Sequence, residues 1–330
     1  MSKRRRTGDA NDSPASEEET PTQSMEVWFS DGNIVLQAQN VQFKVHKSVL
    51  AKHSSVFADL FEMPHTNDEQ SVDGCPVVEL HDSAEDIKHV VLTIYGDKAY
   101  VNVEGALSMA VVAAMIRMGQ KYDIEHVKEA GLSRLKRVFP QQLADWDRNF
   151  DEGDGLYLHT IICGPDEGML DLAIKAIELA HECGIKSILP ACYLIVCRDH
   201  TFREEDTPKI PAIALGPCAL GRAELLRLQL QTMYDWPGAL GAVEGCLQEL
   251  ECLAIGRGLM IWLWQYARLS QTFFQWERVV KSYGFLIEDL CTICSSAARR
   301  NHDEGRLDLW RDLPAAFGLH GWNHLKDFES

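Results

Sequence analysis

The sequence predicts an α+β domain of short strands capped by a helical cluster, followed by an all-α C-terminal domain. Residues 41 to 47, VQFKVHK, alternate apolar and polar side chains as a half-buried strand does. From residue 168 onward the apolar positions follow helical spacing, and no alternating pattern stands out. The Asp- and Gly-rich stretch DWDRNFDEGDG between the two predicts a boundary.

The boundaries divide the chain into four segments. Residues 1–24 are rich in Ser, Thr, Pro and acidic residues and nearly lack aliphatic side chains, which predicts a disordered tail. The α+β domain is expected at 25–139, a linker at 140–167 and the helical domain at 168–330.

The α+β domain is expected to begin with a turn at Asp31-Gly32 ahead of the apolar run Ile34-Val35-Leu36, and VQFKVHK is expected as the half-buried second strand of a hairpin. Two short helices follow, and Ser54 or Ser55 can cap the second. PVVELHD predicts a third strand, and Ser83 can cap the helix after it. GALSMAVVAAMIRMGQKYD predicts a buried helix, and IEHVKEAGLSRLKRVF an amphipathic helix that Pro140 ends.

In the C-terminal domain the apolar spacing predicts six helices. Their approximate ranges are 168–182, 184–197, 219–235, 242–268, 272–300 and 306–312.

The composition limits the functional classes. The net charge of −17 argues against direct binding to nucleic acid or to a membrane surface, since both require an excess of Lys and Arg. The N-terminus has no apolar stretch behind its basic start, so we expect no secretory signal and a location in the cytoplasm or nucleus. The ten cysteines are then expected to be reduced. The basic run Lys3 to Arg6 is either a nuclear localisation signal or an ordinary charged terminus.

The stretch VQFKVHKSVLAKHSSVFADLF carries the strongest family signal. Together with the order of elements over residues 25–139, it resembles the BTB/POZ domain. The matching residues are a strand-ending His, a basic residue, a Leu, a Ser and two Phe: His46, Lys47, Leu50, Ser54 or Ser55, Phe57 and Phe61. The later stretch GRLDLWRDLPAAFGLHGW resembles the C-terminal part of BTB proteins from mushroom-type fungi.

This resemblance implies a protein-interaction module without catalysis of its own. BTB domains commonly form homodimers through the first helix and the N-terminal strand, which here makes five residues candidates for interaction: Asn33, Lys47, Val49, Lys52 and His53. Dimeric members often place an Asp where this chain has Asn33, so Lys47 is expected to face an amide unless Asp31 reaches it. Loss of one partner from a buried ion pair costs about 3–5 kcal/mol, which argues against the family's usual dimer.

Some BTB proteins instead bridge substrates to a cullin-type ubiquitin ligase, and this adaptor role is the alternative function. Cullin-recruiting members often carry an apolar residue two positions before a Glu in the loop after the second helix. Here Asn67 stands at that spacing from Glu69, which weakens the adaptor interpretation.

Four cysteines form the one candidate metal site, and we expect no other cofactor. Cys246 and Cys252 lie near a predicted helix start, and Cys291 and Cys294 form a CxxC pair near the end of another helix. Two such pairs could hold structural zinc, with His302 as a substitute ligand. The competing interpretation is that these thiols are small apolar core residues, since the first gap is wider than usual for a zinc pair.

A catalytic function is the third hypothesis. His46 and His53 could be read as a reactive pair, but no carboxylate or cysteine nearby in sequence completes a site. We find no phosphate-binding loop, no GxSxG and no HExxH motif. The sequence therefore predicts no enzyme, and an unrecognised one would require a concave pocket of ionisable residues in the helical half.

Overall fold

The computed structural model describes residues 20–63, 70–97, 105–150, 160–162, 164, 167–199, 210–266 and 269–329. The basic run Lys3 to Arg6 lies outside the described residues, as does most of the predicted tail. Asn67 and Glu69, on which the prediction about cullin binding rests, also lie outside them. Among the described helices, none is long and apolar enough to cross a bilayer.

Five strands form the main sheet in the order β1-β3-β2-β5-β4. Their bounds are β1 Thr22–Trp28, β2 Ile34–Ala38, β3 Val41–Val45, β4 Ser71–Val72 and β5 Cys75–Leu80. Strands β2 and β3 form the predicted hairpin, and β2 runs parallel to β5 on its other side. The sheet confirms the α+β prediction for this part of the chain.

Strand β3 is more buried than its alternating sequence predicts. Gln42 and Lys44 were expected on a solvent face, but each is only 7% exposed. Strand β1 pairs with β3 on the side opposite to β2, so β3 lies inside the sheet. The buried polar groups have partners: Gln42 Nε2 donates to Gln37 Oε1 at 2.8 Å, and Lys44 Nζ lies 3.8 Å from Asp73 Oδ2.

The helices of this domain follow the predicted order. They are α1 Lys47–His53, α2 Ser55–Glu62, α3 Ala84–Ile94, α4 Met109–Lys121 and α5 Glu125–Val138. Ser54 caps α2 as predicted, because its side chain accepts a hydrogen bond from Phe57 N–H at 3.0 Å. Ser83 stands at the start of α3 without a side-chain cap, and the N–H of Ala84 donates to Gln39 Oε1 instead.

Two predicted irregular segments contain regular structure. Strand β1 begins at Thr22, inside the segment predicted as a tail, because its backbone pairs in parallel with β3. The predicted linker contains helix α6, Leu143–Phe150, and a short strand β7, Ile161–Ile162, which pairs with β6, Leu107–Ser108. Both cases depend on tertiary contacts, which local sequence does not display.

The C-terminal region is mostly helical, as predicted, with different boundaries. Its helices are α7 Met169–Cys183, α8 Leu189–Asp199, α9 Ala212–Gln231, α10 Glu249–Tyr266, α11 Trp276–Ile287 and α12 Thr292–Ala316. Short 3₁₀ turns lie at Trp236–Ala239, Leu269–Gln271 and Trp322–His324. The helix predicted at 272–300 is broken between α11 and α12, and α12 continues through the helix predicted at 306–312.

One hydrophobic core runs through both regions of the described chain. Trp146 of α6 is 2% exposed and lies between the two regions, with its ring centroid 5.4 Å from that of Trp310 in α12. The indole N–H of Trp310 in turn donates to the carbonyl of Gln141 at 2.8 Å. The segment around α6 is therefore packed against the C-terminal helices.

Candidate functional site

The start of helix α1 brings together the residues that the sequence singled out. The backbone N–H of Lys47 donates to Asn33 Oδ1 at 2.8 Å, which satisfies one of the unpaired donors in the first turn of the helix. The side-chain amide of Asn33 is thus hydrogen-bonded to the backbone of Lys47. The ammonium group lies over the ring of Phe61, 5.7 Å from its centroid. Lys47 therefore faces the amide of Asn33, as expected, and the contact is made through its backbone N–H.

His46 has a structural role, as the sequence indicated. Its ring Nδ1 lies 2.9 Å from the hydroxyl oxygen of Tyr95, and its backbone N–H donates to the same oxygen at 2.8 Å. Its Nε2 lies 3.3 Å from Asp31 Oδ1, so Asp31 reaches His46. Tyr95, which sequence reasoning did not single out, thereby holds the junction of β3 and α1 together. Burial raises the pKa of its hydroxyl.

The remaining interaction candidates lie along α1. Val49, Lys52 and His53 are spaced to share one face of the helix, while Leu50 points into the core. The ring of His53 packs against His126 of α5, with 5.0 Å between the centroids. Burial, followed by the charges of His126 and Lys52, lowers the pKa of His53.

Strand β1 forms an edge of the sheet. Its position at the end of the strand order leaves one side of its backbone without a strand neighbour among the described residues. Met25 in this strand is fully exposed, and Val56 at the start of α2 is 40% exposed. Neither position was among the sequence-predicted interaction residues, since exposure cannot be read from a single apolar residue.

The four candidate cysteines come together although 38 residues separate the second from the third. The Sγ atoms of Cys246, Cys252, Cys291 and Cys294 all lie within 4.8 Å of one another. The Sγ of Cys246 is 3.8 Å from that of Cys291 and 3.4 Å from that of Cys294. Three of these residues are buried and Cys246 is half-buried.

Comparison with known proteins addresses the first domain. The family model of the BTB/POZ domain matches residues 25–137, about a third of the chain. The chain contains a BTB/POZ domain. A comparison with curated proteins finds no match. The BTB/POZ resemblance of the sequence is thus confirmed, and the resemblance to fungal proteins stays a prediction. BTB/POZ domains generally act as protein-interaction modules, not as enzymes.

Outside the BTB/POZ domain, the cysteine cluster is held by three segments. Cys246 lies in the loop after the turn at 236–239, Cys252 in the first turn of α10, and Cys291 and Cys294 at the start of α12. The CxxC pair therefore begins a helix and does not end one, which corrects the predicted placement. A helix N-terminus carries a partial positive charge, which stabilises a thiolate.

Backbone N–H groups point at the sulfur atoms. Cys291 Sγ accepts from the N–H groups of Cys294 and Leu247, and these hydrogen bonds lower the pKa of Cys291 to about 6. The N–H of Cys291 donates to Cys252 and that of Gly241 to Cys294, but burial outweighs these bonds: it raises the pKa of Cys252 and raises the pKa of Cys294 to about 12. Gly241 has φ +83, and a Cβ there would lie 2.6 Å from the carbonyl oxygen of Glu249, so this turn requires glycine. Sequence analysis missed these donors because backbone groups leave no residue signature.

His302 does not belong to the cluster, and its role as a substitute ligand is wrong. The residue is fully buried in α12, with Nδ1 3.3 Å from the carbonyl oxygen of Met233 and Nε2 2.9 Å from that of Phe274. Eight residues separate His302 from Cys294 along one helix, a rise of about 12 Å. Both ring nitrogens therefore face backbone carbonyls.

A surface groove of about 600 Å³ lies between α5 of the BTB/POZ domain and α6. Acidic and basic side chains alternate along it, including Glu129, Lys136, Asp145 and Arg148. Its lining includes Ser133 but no histidine among the described residues. The groove lies at the junction of the two regions, and a smaller pocket of about 400 Å³, with Arg311 and His324 in its lining, lies mainly in the helical half, where the enzyme hypothesis expects one.

Proposed function

We propose that this chain is a non-catalytic protein that self-associates through its BTB/POZ domain and recruits a protein partner through its helical region. The family assignment supports an interaction role in general. The exposed edge strand β1, with Met25 projecting from it, is the observation that carries self-association.

A second copy of the chain is the partner that suits this edge. An edge strand offers a row of unpaired backbone donors and acceptors, which another strand can extend. A twofold interface places the same surface on both subunits, so a single apolar residue at the edge is buried twice. The apolar Met25 and the half-exposed Val56 favour burial in such an interface.

Size-exclusion chromatography with light scattering at micromolar concentration tests self-association. We expect a dimer for the natural chain and a monomer for Met25→Glu combined with Val56→Glu, because two buried charges without partners oppose assembly. Leu220→Glu is the matched control, since Leu220 is an exposed apolar residue on α9 in the helical region, and it should leave the dimer intact. A monomeric natural chain at this concentration would refute the self-association proposal.

The helical region offers an exposed aromatic surface for a different protein. Phe285 of α11 is 66% exposed, Ile261 of α10 is 61% exposed, and the ring of Trp262 lies 6.2 Å from that of Phe285. Aromatic residues such as the exposed Phe285 and the partly buried Trp262 are common anchors of protein interfaces. Quantitative affinity purification should show partners that bind the natural chain and are lost from Phe285→Glu, but remain with Leu220→Glu.

The alternative function is substrate adaptor of a cullin-type ubiquitin ligase. Met63, 61% exposed at the end of α2, supports it because it places an apolar side chain at the edge of the loop in question. The purified N-terminal domain of a cullin should then bind the natural chain and not Met63→Glu. An absence of binding to the natural chain at micromolar concentration would eliminate the adaptor role.

A further inference from the structure

The four clustered cysteines have the geometry of a tetrahedral metal site. Four sulfur atoms bound to zinc at about 2.3 Å lie about 3.8 Å apart along each edge of the tetrahedron. The observed separations of 3.8 and 3.4 Å, with every pair within 4.8 Å, surround a space of that size. A disulfide would instead join two sulfurs at about 2.0 Å and leave the other two outside.

Ordinary core packing does not explain this arrangement. Other buried cysteines of the described chain also lie near one another, such as Cys197 and Cys218, but they form no group of three or more ligand atoms as close as this one. At the cluster, three separate segments of the chain together bring four thiols within reach of one another. The backbone N–H of Cys294 donates to Cys291 Sγ at 3.5 Å, a contact of the kind that orients ligands around a metal.

The loop that carries Cys246 has few other means of attachment. Leu240 is buried at the start of the loop, but Leu247 beside Cys246 is 71% exposed, so burial of apolar side chains anchors the loop only at its start. Gly241 and Gly245 both have positive φ, which makes its backbone conformation costly to order without a compensating contact. The contacts of Cys246 with Cys291 and Cys294 connect this loop to α12.

We propose that Cys246, Cys252, Cys291 and Cys294 bind one structural Zn²⁺ ion that ties the loop before α10 to the start of α12. Four thiolates complete a tetrahedral shell, so the ion keeps no open position for substrate or water and its role is structural. Four sulfur ligands in tetrahedral geometry select zinc or iron among the common metals. The two helix N-termini that begin near Cys252 and Cys291 offset part of the excess negative charge of the site.

Metal analysis of the purified full chain tests the proposal, with protein made without a polyhistidine tag in zinc-supplemented medium. We expect about one zinc per chain in the natural protein and less than about a tenth of that in Cys291→Ala/Cys294→Ala, since two ligands cannot hold the ion. Cys75→Ala/Cys183→Ala is the matched control: it also removes two buried thiols, both outside the site, and should retain the full zinc content. Natural protein that is free of metal with reactive thiols, or that contains iron or a disulfide among these cysteines, would overturn the proposal.

X-ray absorption at the zinc edge of the natural protein is independent of whether the variant folds. Four sulfur neighbours at about 2.3 Å would support the site, whereas nitrogen or oxygen neighbours would refute it. Cobalt exchange provides a second readout, because tetrahedral Co²⁺ with thiolate ligands shows strong charge-transfer and d–d absorption. These bands should persist in Cys75→Ala/Cys183→Ala, and their persistence in Cys291→Ala/Cys294→Ala would also refute the assignment.

Discussion

Replacement of Trp146 by Ala should strongly destabilise the chain, although the sequence around it reads as a linker. The side chain is 2% exposed and stacks on Phe150 at 4.1 Å between ring centroids. A buried aromatic side chain removes about 150–250 Å² from water, worth about 4–6 kcal/mol at 25 cal/mol per Å². Residual burial in the denatured chain lowers this by about 10–40%. The expected loss in free energy of unfolding is therefore about 3–5 kcal/mol, within the range for such truncations.

Urea denaturation followed by far-ultraviolet circular dichroism measures this loss without depending on the fluorescence of the missing indole. Arg148→Ala is the matched control on the same helix, since its side chain is 68% exposed and its partner Asp145 is on the surface. An exposed ion pair contributes about 0–1 kcal/mol, so the control should unfold near the natural midpoint. Trp146→Phe keeps a ring in the site and should lose about 1–2 kcal/mol, which covers the case in which the alanine variant does not fold.

A loss in free energy of unfolding for Trp146→Ala no larger than that for Arg148→Ala would contradict a packing role for Trp146. Surface positions in a flexible connection change stability by about 0.5 kcal/mol or less, and that result would restore the linker interpretation of this segment.

Two further predictions concern the BTB/POZ domain. Ser54→Ala should lower the free energy of unfolding by about 2–3 kcal/mol, since it removes the cap on Phe57 N–H and the hydrogen bond to the carbonyl of Tyr122 at 2.5 Å. Ser55→Ala, at the neighbouring exposed position, should lower it by less than about 1 kcal/mol in the same denaturation assay. The lowered pKa of His53 contributes stability that is present above its unfolded pKa near 6.5 and lost as pH falls toward the folded value. His53→Gln should therefore lose less stability than the natural chain between about pH 7.5 and 5.5, and equal losses would contradict this assignment.

The sequence predicts the elements of the BTB/POZ domain where local pattern determines them. The hairpin of β2 and β3 and the cap of α2 follow from alternation and from Ser54. Strand β1 is not recognisable in the sequence, because Val27 is the one buried residue among its seven described residues. The strand depends on pairing with β3. The burial of Lys44 has the same origin, since the pairing partner determines which strand is central.

At the cysteine cluster, too, local sequence predicts one part of the arrangement and helix packing determines the rest. Sequence spacing indicates that Cys291 and Cys294 share a helical turn, but their distance from Cys246 depends on how α10 and α12 pack. The family resemblance pairs Asn33 with Lys47, and the structure shows this contact through the backbone N–H of Lys47. Sequence could not predict this bond, because the unpaired N–H of a helix start donates to any nearby oxygen and has no residue type of its own.

The packing of the helical region determines which faces of the BTB/POZ domain a partner can reach. Helix α4 contacts it through Arg117 Nε, 2.8 Å from Glu182, and α5 through Lys136 Nζ, 2.7 Å from Asp327. Asp327 also accepts from the N–H and hydroxyl of Ser187 at 2.9 and 2.8 Å, so the end of the described chain is fixed against α5. A partner that required the α4 and α5 surface would have to displace these contacts. The self-association proposed above would instead use strand β1, which is an edge strand of the described sheet.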